Sequence, residues 1–257
     1  MVERRSHGRW VLVAIWASIA IVAMAVGAAG CGGGGDPGSG GGESGERKDV
    51  SAEAKPSANV AACRRVEPSK VKSASYRAPK QTIARDDKLT AVVKTNCGSF
   101  KIALEAKRWP TTVNSFAFLA RKGFYDGLGF ERASYDSYLE GGKPVGGAGG
   151  PGYSVKGEAP QVSYIYKQGV VAMSQSGEAP PGTAGSRFFI VVAKPWLDLG
   201  PVYAPLGKVA GGFDVVKHIS ELGPPDASPG TGNLGTIGDI GKLRQAVRIE
   251  KVSIEKG

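Results

Sequence analysis

From Leu89 to Glu255 the chain is a succession of short runs in which apolar and polar residues alternate, cut by glycine, asparagine or proline. Alternation with period two is the mark of strands that bury one face. Many such strands with few helices would leave exposed edges unless the sheet closes on itself, so the expected fold class is all-β with two helices, built as a closed antiparallel β-barrel. Leu89 to Thr95 and Ser99 to Glu105 flank Asn-Cys-Gly and read as a hairpin. Pro110 opens a helix in which Val113, Phe116, Ala117 and Ala120 share a face, and Gly123 ends it. Further strands are expected at Gly129 to Ala133, Ser137 to Glu140, Gly169 to Gln175, Arg187 to Ala193, Leu206 to Val209 and Val247 to Glu255, with a second helix over Phe213 to Leu222. A glycine loop from Gly141 to Tyr153 and a Gly/Pro loop over 224–246 interrupt the series.

The first 88 residues follow different rules. Arg4, Arg5 and Arg9 precede the apolar run Trp10 to Val26, which ends in Ala28-Ala29-Gly30-Cys31. A basic start, an apolar middle and small residues at the end mark residues 1–30 as a secretory signal. The small residues directly before Cys31 resemble the lipobox of bacterial lipoproteins, with alanine at position 28 where leucine is usual. That resemblance implies lipidation of Cys31 and an exported protein held on the outer face of the cytoplasmic membrane. The apolar run is also barely long enough to span a bilayer, so a retained helix stays open. Residues 31–62 are rich in Gly, Ser, Glu and Lys and read as a tether with a reach on the order of 30 Å. An N-terminal extension over 63–88 leads into the domain at 89–257.

With Cys31 set aside, Cys63 and Cys97 form an even pair in an oxidising compartment, and a disulfide between them would pin the extension to the domain. The only histidines are His7 and His218, which excludes a Ser-His-Asp or Cys-His relay and a His-rich metal site. The net charge of +10 is spread along the chain without a basic run or a nucleic-acid motif, so no nucleic-acid partner is expected.

The blocks G-F-Y-D-G, F-x-R, G-G-x-P, G-G-P-G-Y, G-x-V-A-M, G-S-x-F-F-I, W-L-D, G-K-V and G-x-D-V-V-x-x-I occur in this order from Gly123 to Ile219. Together they resemble a cyclophilin-type peptidyl-prolyl cis-trans isomerase. The resemblance implies an eight-stranded antiparallel barrel capped by two α-helices, no cofactor, and proline-containing peptides or exported proteins as partners of a monomer. It implies Arg132 as the catalytic residue, Phe189 as the floor of a proline pocket, Leu197 as a wall and Trp196 as the rim. Tyr203 and Gln175 fall where the family contacts the peptide. Of Phe188 and Phe189, one must face the core.

The chain also departs from the family pattern. Ser137, Tyr138 and Glu140 stand where an apolar pair and a glutamine are usual, Arg187 replaces a second glutamine, and Glu131 replaces a histidine. Loss of apolar contact there would weaken proline binding by about 1 to 3 kcal/mol. Glu140 has two available partners, Arg187 as a compensating ion pair or Arg132 in competition with substrate. Two readings follow, an isomerase of exported proteins and a binding module whose pocket has lost turnover.

Overall fold

The computed structural model of the chain describes residues 62–67, 74–134, 136–144, 150–175, 178–223 and 241–257. The signal at 1–30, Cys31, the tether up to residue 61 and most of the loop over 224–246 lie outside them.

The hairpin β1 (Leu89–Thr95) and β2 (Gly98–Leu104) is followed by α1 (Pro110–Arg121), β3 (Gly129–Ser134) and β4 (Tyr138–Gly141). Then come β5 (Val155–Lys156), β6 (Tyr166–Lys167), β7 (Val170–Met173), β8 (Thr183–Ala184), β9 (Phe188–Val191), β10 (Trp196–Leu197), β11 (Pro205–Gly211), α2 (Phe213–Ser220) and β12 (Lys242–Lys256). Eight strands close an antiparallel barrel in the order β1, β12, β3, β4, β9, β7, β11, β2. The two-residue strands pair outside it, β10 with β6 and β5 with β8. Two expectations need correction. Ser137 lies in the β3–β4 turn, where its carbonyl accepts from the amides of Val192 and Ala193. The last strand starts at Lys242 and keeps its pairing with β3 through a register shift before Val247.

On β2 the alternation is that of a half-buried strand, with Phe100, Ile102 and Leu104 inside the barrel and Ser99, Lys101 and Ala103 outside. Strand β9 buries both faces. Phe188 and Ile190 belong to the barrel core, whereas Phe189 and Val191 belong to a second cluster with Tyr138, Tyr166, Ala172, Leu197 and Tyr203. The alternation therefore assigns Phe188 to packing and Phe189 to the outer face.

Helix α1 begins at Pro110 behind Trp109, which supplies no capping side chain. The cap comes from 46 residues downstream: the Glu158 carboxylate accepts from the Thr111 amide at 2.7 Å, the Thr112 amide at 3.1 Å and the Thr112 hydroxyl at 2.7 Å. A carboxylate there satisfies unpaired N–H groups and meets the positive end of the helix dipole. Gly157 permits the approach, since a Cβ there would lie 2.5 Å from Thr112 Oγ1.

The extension is strapped to the domain at both ends. Cys63 and Cys97 are disulfide-bonded across a separation of 34 residues, which on the chain-entropy account contributes about 4 kcal/mol. Beside the bond, Asn96 accepts from the Arg248 amide at 2.8 Å and donates to the carbonyls of Arg64 at 2.7 Å and Ala246 at 3.2 Å. Farther along, the Tyr76 amide donates to Pro151 at 2.7 Å, its ring packs edge-on against Phe118, and Ile83 enters the core.

Burial pushes the Glu158 carboxyl up, but its bonds to Thr112 and Thr111 outweigh this and leave its pKa below the ordinary glutamate value. A lowered folded-state pKa adds stability above the unfolded value, and that stability is lost as pH falls through the folded value. Glu158→Gln is expected to cost about 1 kcal/mol in urea unfolding at neutral pH, with the gap to the parent closing in acid. A variant as stable as the parent at neutral pH would remove the capping role.

Candidate active site

The strand registers set four residues in one row across the outer face of the barrel. Arg132 on β3 lies opposite Glu140 on β4, Glu140 opposite Phe189 on β9, and Phe189 opposite Ala172 on β7. Directly opposed residues of antiparallel strands share a face, so a guanidinium, a carboxylate and an aromatic ring are brought side by side. Tyr138 lies two residues before Glu140 on that same face. The frame is closed by Gly142, at φ +83°, where a Cβ would lie 2.7 Å from the Ser186 carbonyl.

Glu140 settles the choice left open by the sequence, because it takes both partners. Its side chain is 5% exposed, with Oε2 at 3.4 Å from Arg132 Nε and Oε1 at 3.9 Å from Arg187 Nη1. Arg132 also donates from Nη2 to the Tyr138 hydroxyl at 3.3 Å. Burial alone would pull the Arg132 guanidinium down, but Glu140, Tyr138 and Glu131 reverse this and hold its pKa above the ordinary value. Arg132 is a permanent cation.

Glu131 is its counterpart. Burial, helped by Glu140, raises its carboxyl to about 7 against the opposing pull of Lys143, Arg187 and Arg132. Its Oε1 is buried without a hydrogen-bond partner, as suits a carboxyl that is protonated for part of the neutral range.

The apolar part of the site is walled by tyrosines. Phe189 is wholly buried, with Tyr203 edge-on at 5.3 Å and Tyr166 at 6.2 Å between ring centroids. The Tyr166 hydroxyl donates to the Tyr203 carbonyl at 2.8 Å and accepts from the Tyr203 amide at 3.2 Å, fixing the loop that carries Tyr203. Leu197, 5% exposed, pairs with Tyr166 through β10 and β6. Trp196 stands at the edge with 52% of its surface open. Gln175 and Arg187 lie on the other side, lining a cavity of about 790 Å³.

All the site residues expected from the sequence within the described part thus lie on β3, β4, β7, β9, β10 or the segments that directly follow or precede these strands. Tyr166 was not among them. Its signal was present in Ser-Tyr-Ile-Tyr-Lys, where Tyr164 and Tyr166 alternate as in a short strand. Lys143, Lys156 and Ser174, which line the cavity, carried no such signal.

Residues 90–253 match the family model described as cyclophilin type peptidyl-prolyl cis-trans isomerase/CLD. Peptidyl-prolyl cis-trans isomerase B of Bacillus subtilis is 40% identical over 112 residues, which cover 43% of this chain and 76% of that protein. A peptidyl-prolyl cis-trans isomerase of Helicobacter pylori is 36% identical over 135 residues, covering 51% and 80%. Among solved structures, a cyclophilin-type isomerase of Cryptosporidium parvum, determined in the presence of the dipeptide Ala-Pro, superposes with a TM-score of 0.52 at 22% identity. That match covers 65% of this chain and 99% of the other, and establishes likeness of fold.

Because the folded-state pKa of Glu131 exceeds its ordinary value of 4.5, the native protein keeps a proton that the unfolded chain releases between about pH 4.5 and 7. Stability contributed by this group therefore falls as pH rises through that window. Glu131→Gln is expected to gain about 1 to 2 kcal/mol relative to the parent between pH 5 and pH 8, after allowance for solvent screening. Urea titrations at the two pH values check this; a parallel pH dependence in both proteins would refute it.

Proposed function

The chain belongs to the cyclophilin-type peptidyl-prolyl cis-trans isomerase family and has that enzyme activity, and we propose that Arg132 is its catalytic residue, acting beside an apolar pocket floored by Phe189. Rotation about an Xaa-Pro bond faces a barrier of about 18 to 20 kcal/mol, and no covalent bond need break. At the half-turned state the amide loses resonance and the prolyl nitrogen regains a lone pair. A guanidinium donating to that lone pair binds the twisted bond more strongly than either planar form, and such a difference is what lowers a barrier. No nucleophile and no cofactor take part in this scheme.

The supporting observation is the cross-strand row, which sets the permanently charged Arg132 beside the Phe189 cluster on one face. In the same reading Tyr138, Leu197 and Tyr203 wall the proline, Trp196 forms its rim, Gln175 and Arg187 meet the flanking peptide, and Glu140 orients both arginines. Loss of one hydrogen bond made only at the twisted state costs about 3 kcal/mol, so Arg132→Ala is expected to lower kcat/KM on a proline peptide by roughly a hundredfold or more. An unchanged rate, measured by NMR exchange or in a protease-coupled assay, would end this assignment.

A second reading rests on the full burial of Phe189 and on the hold that Glu140 has on Arg132. A site closed in this way would bind proline segments with little turnover, and peptide binding without acceleration is its distinguishing result.

The proposal extends to location. The order of basic start, apolar run and Ala-Ala-Gly-Cys supports an exported lipoprotein, attached through Cys31 to the outer face of the cytoplasmic membrane and acting on exported proteins. Cys31→Ser is expected to move the protein from the membrane to the soluble fraction and to abolish incorporation of labelled palmitate. Membrane retention without label would instead favour an uncleaved helix.

A further inference from the structure

The cavity of about 790 Å³ beside the arginine row has a chemistry of its own. Three cations line it, namely Lys143 after β4, Lys156 on β5 and Arg187 before β9, and no carboxylate of the described residues does. Among the described residues only Arg187 of the three forms an ion pair, and its partner is shared: Glu140 lies nearer to Arg132, at 3.4 Å, than to Arg187, at 3.9 Å. Neither lysine forms an ion pair among the described residues. Lys143 feels the charge of Glu131, but burial keeps that carboxyl only partly ionised near neutrality, and this leaves the wall positive.

A second observation points to a ligand. Ser174 is 5% exposed and its hydroxyl, on the cavity wall, has no hydrogen-bond partner. The side-chain Oε1 of Gln175, the next residue, is also buried and without a partner. An unpaired buried polar atom costs roughly 1 to 3 kcal/mol, so the two together mark a wall that gains from an incoming polar group. Hydroxyl and cations can donate to a carboxylate, and the Gln175 oxygen can accept from a peptide N–H.

We propose that this cavity is an acid-selecting subsite, which admits an aspartate or glutamate side chain of a client segment whose Xaa-Pro bond lies at Arg132. The inference rests on the peptide-isomerase reading of the neighbouring site and adds to it a substrate class. Arg187 joins the two sites. A client carboxylate that engages Arg187 competes with Glu140 for it, so occupancy of the subsite alters the charge balance next to Arg132.

The test uses proline peptides that differ only in carrying Glu, Gln or Lys at one of the two residues before or after the Xaa-Pro pair. Binding is read by fluorescence anisotropy and turnover by NMR exchange, on the parent and on Lys143→Gln/Lys156→Gln. The expected result is a preference for Glu over Lys of about tenfold or more at one position, shrinking with added salt and falling toward unity in the double variant. Turnover with equal affinity for all peptides would overturn the subsite and leave the isomerase reading standing. A Glu preference in binding with no turnover would uphold the subsite and defeat that reading, whereas loss of both overturns both. A preference that persists in the double variant would also overturn the assignment, since it would not reside in this cavity.

Discussion

A strand that buries both of its faces needs something to cover the outer one, and on β9 that need builds the site. Phe188 and Ile190 fill the barrel, so Phe189 and Val191 necessarily point away from it. The segments around β6 and β10 close over them, with Tyr166 and Tyr203 locked together by reciprocal hydrogen bonds. The proposed proline site is thus a second, smaller core on the outside of the first. Its floor is as fixed as the barrel wall, because alternate residues of the same strand form each.

Glu140 imposes the other constraint. A carboxylate 5% exposed is tolerable only with cations at hand, and two arginines from different segments supply them. That charge cluster holds Arg132 in place while spending part of its hydrogen-bonding capacity. The cluster is therefore partly satisfied within itself, and any group that engaged these arginines would compete with Glu140 for both.

Much of this was legible in the residues. Alternation located the strands of the barrel, the ordered blocks placed Arg132 and Phe189, and cysteine parity matched the Cys63 and Cys97 bond that the structure contains. What escaped detection depended on contacts distant in sequence. The cap of α1 by Glu158 joins residues 46 and 47 positions apart, and no local pattern announces it. Two-residue strands such as β8 and β10 are too short to show a period. Glu140 had two possible partners, and only the spacing of β3, β4 and β9 decides that it takes both. Ser174 and the two lysines gain a shared meaning only once the folded chain gathers them around one cavity.

The disulfide also defines how the domain would bear load. Residues 64–96, which include the extension and β1, lie inside the covalent loop closed by Cys63 and Cys97. Tension applied to the chain ahead of residue 62 passes through the sulfur bridge into the turn between β1 and β2, by the shorter covalent route. The pairing of β1 with β12, on which barrel closure depends, is then off the force path. A pull on the N-terminal end is resisted by a bond at the hairpin tip, and the seam of the barrel is not peeled open strand by strand.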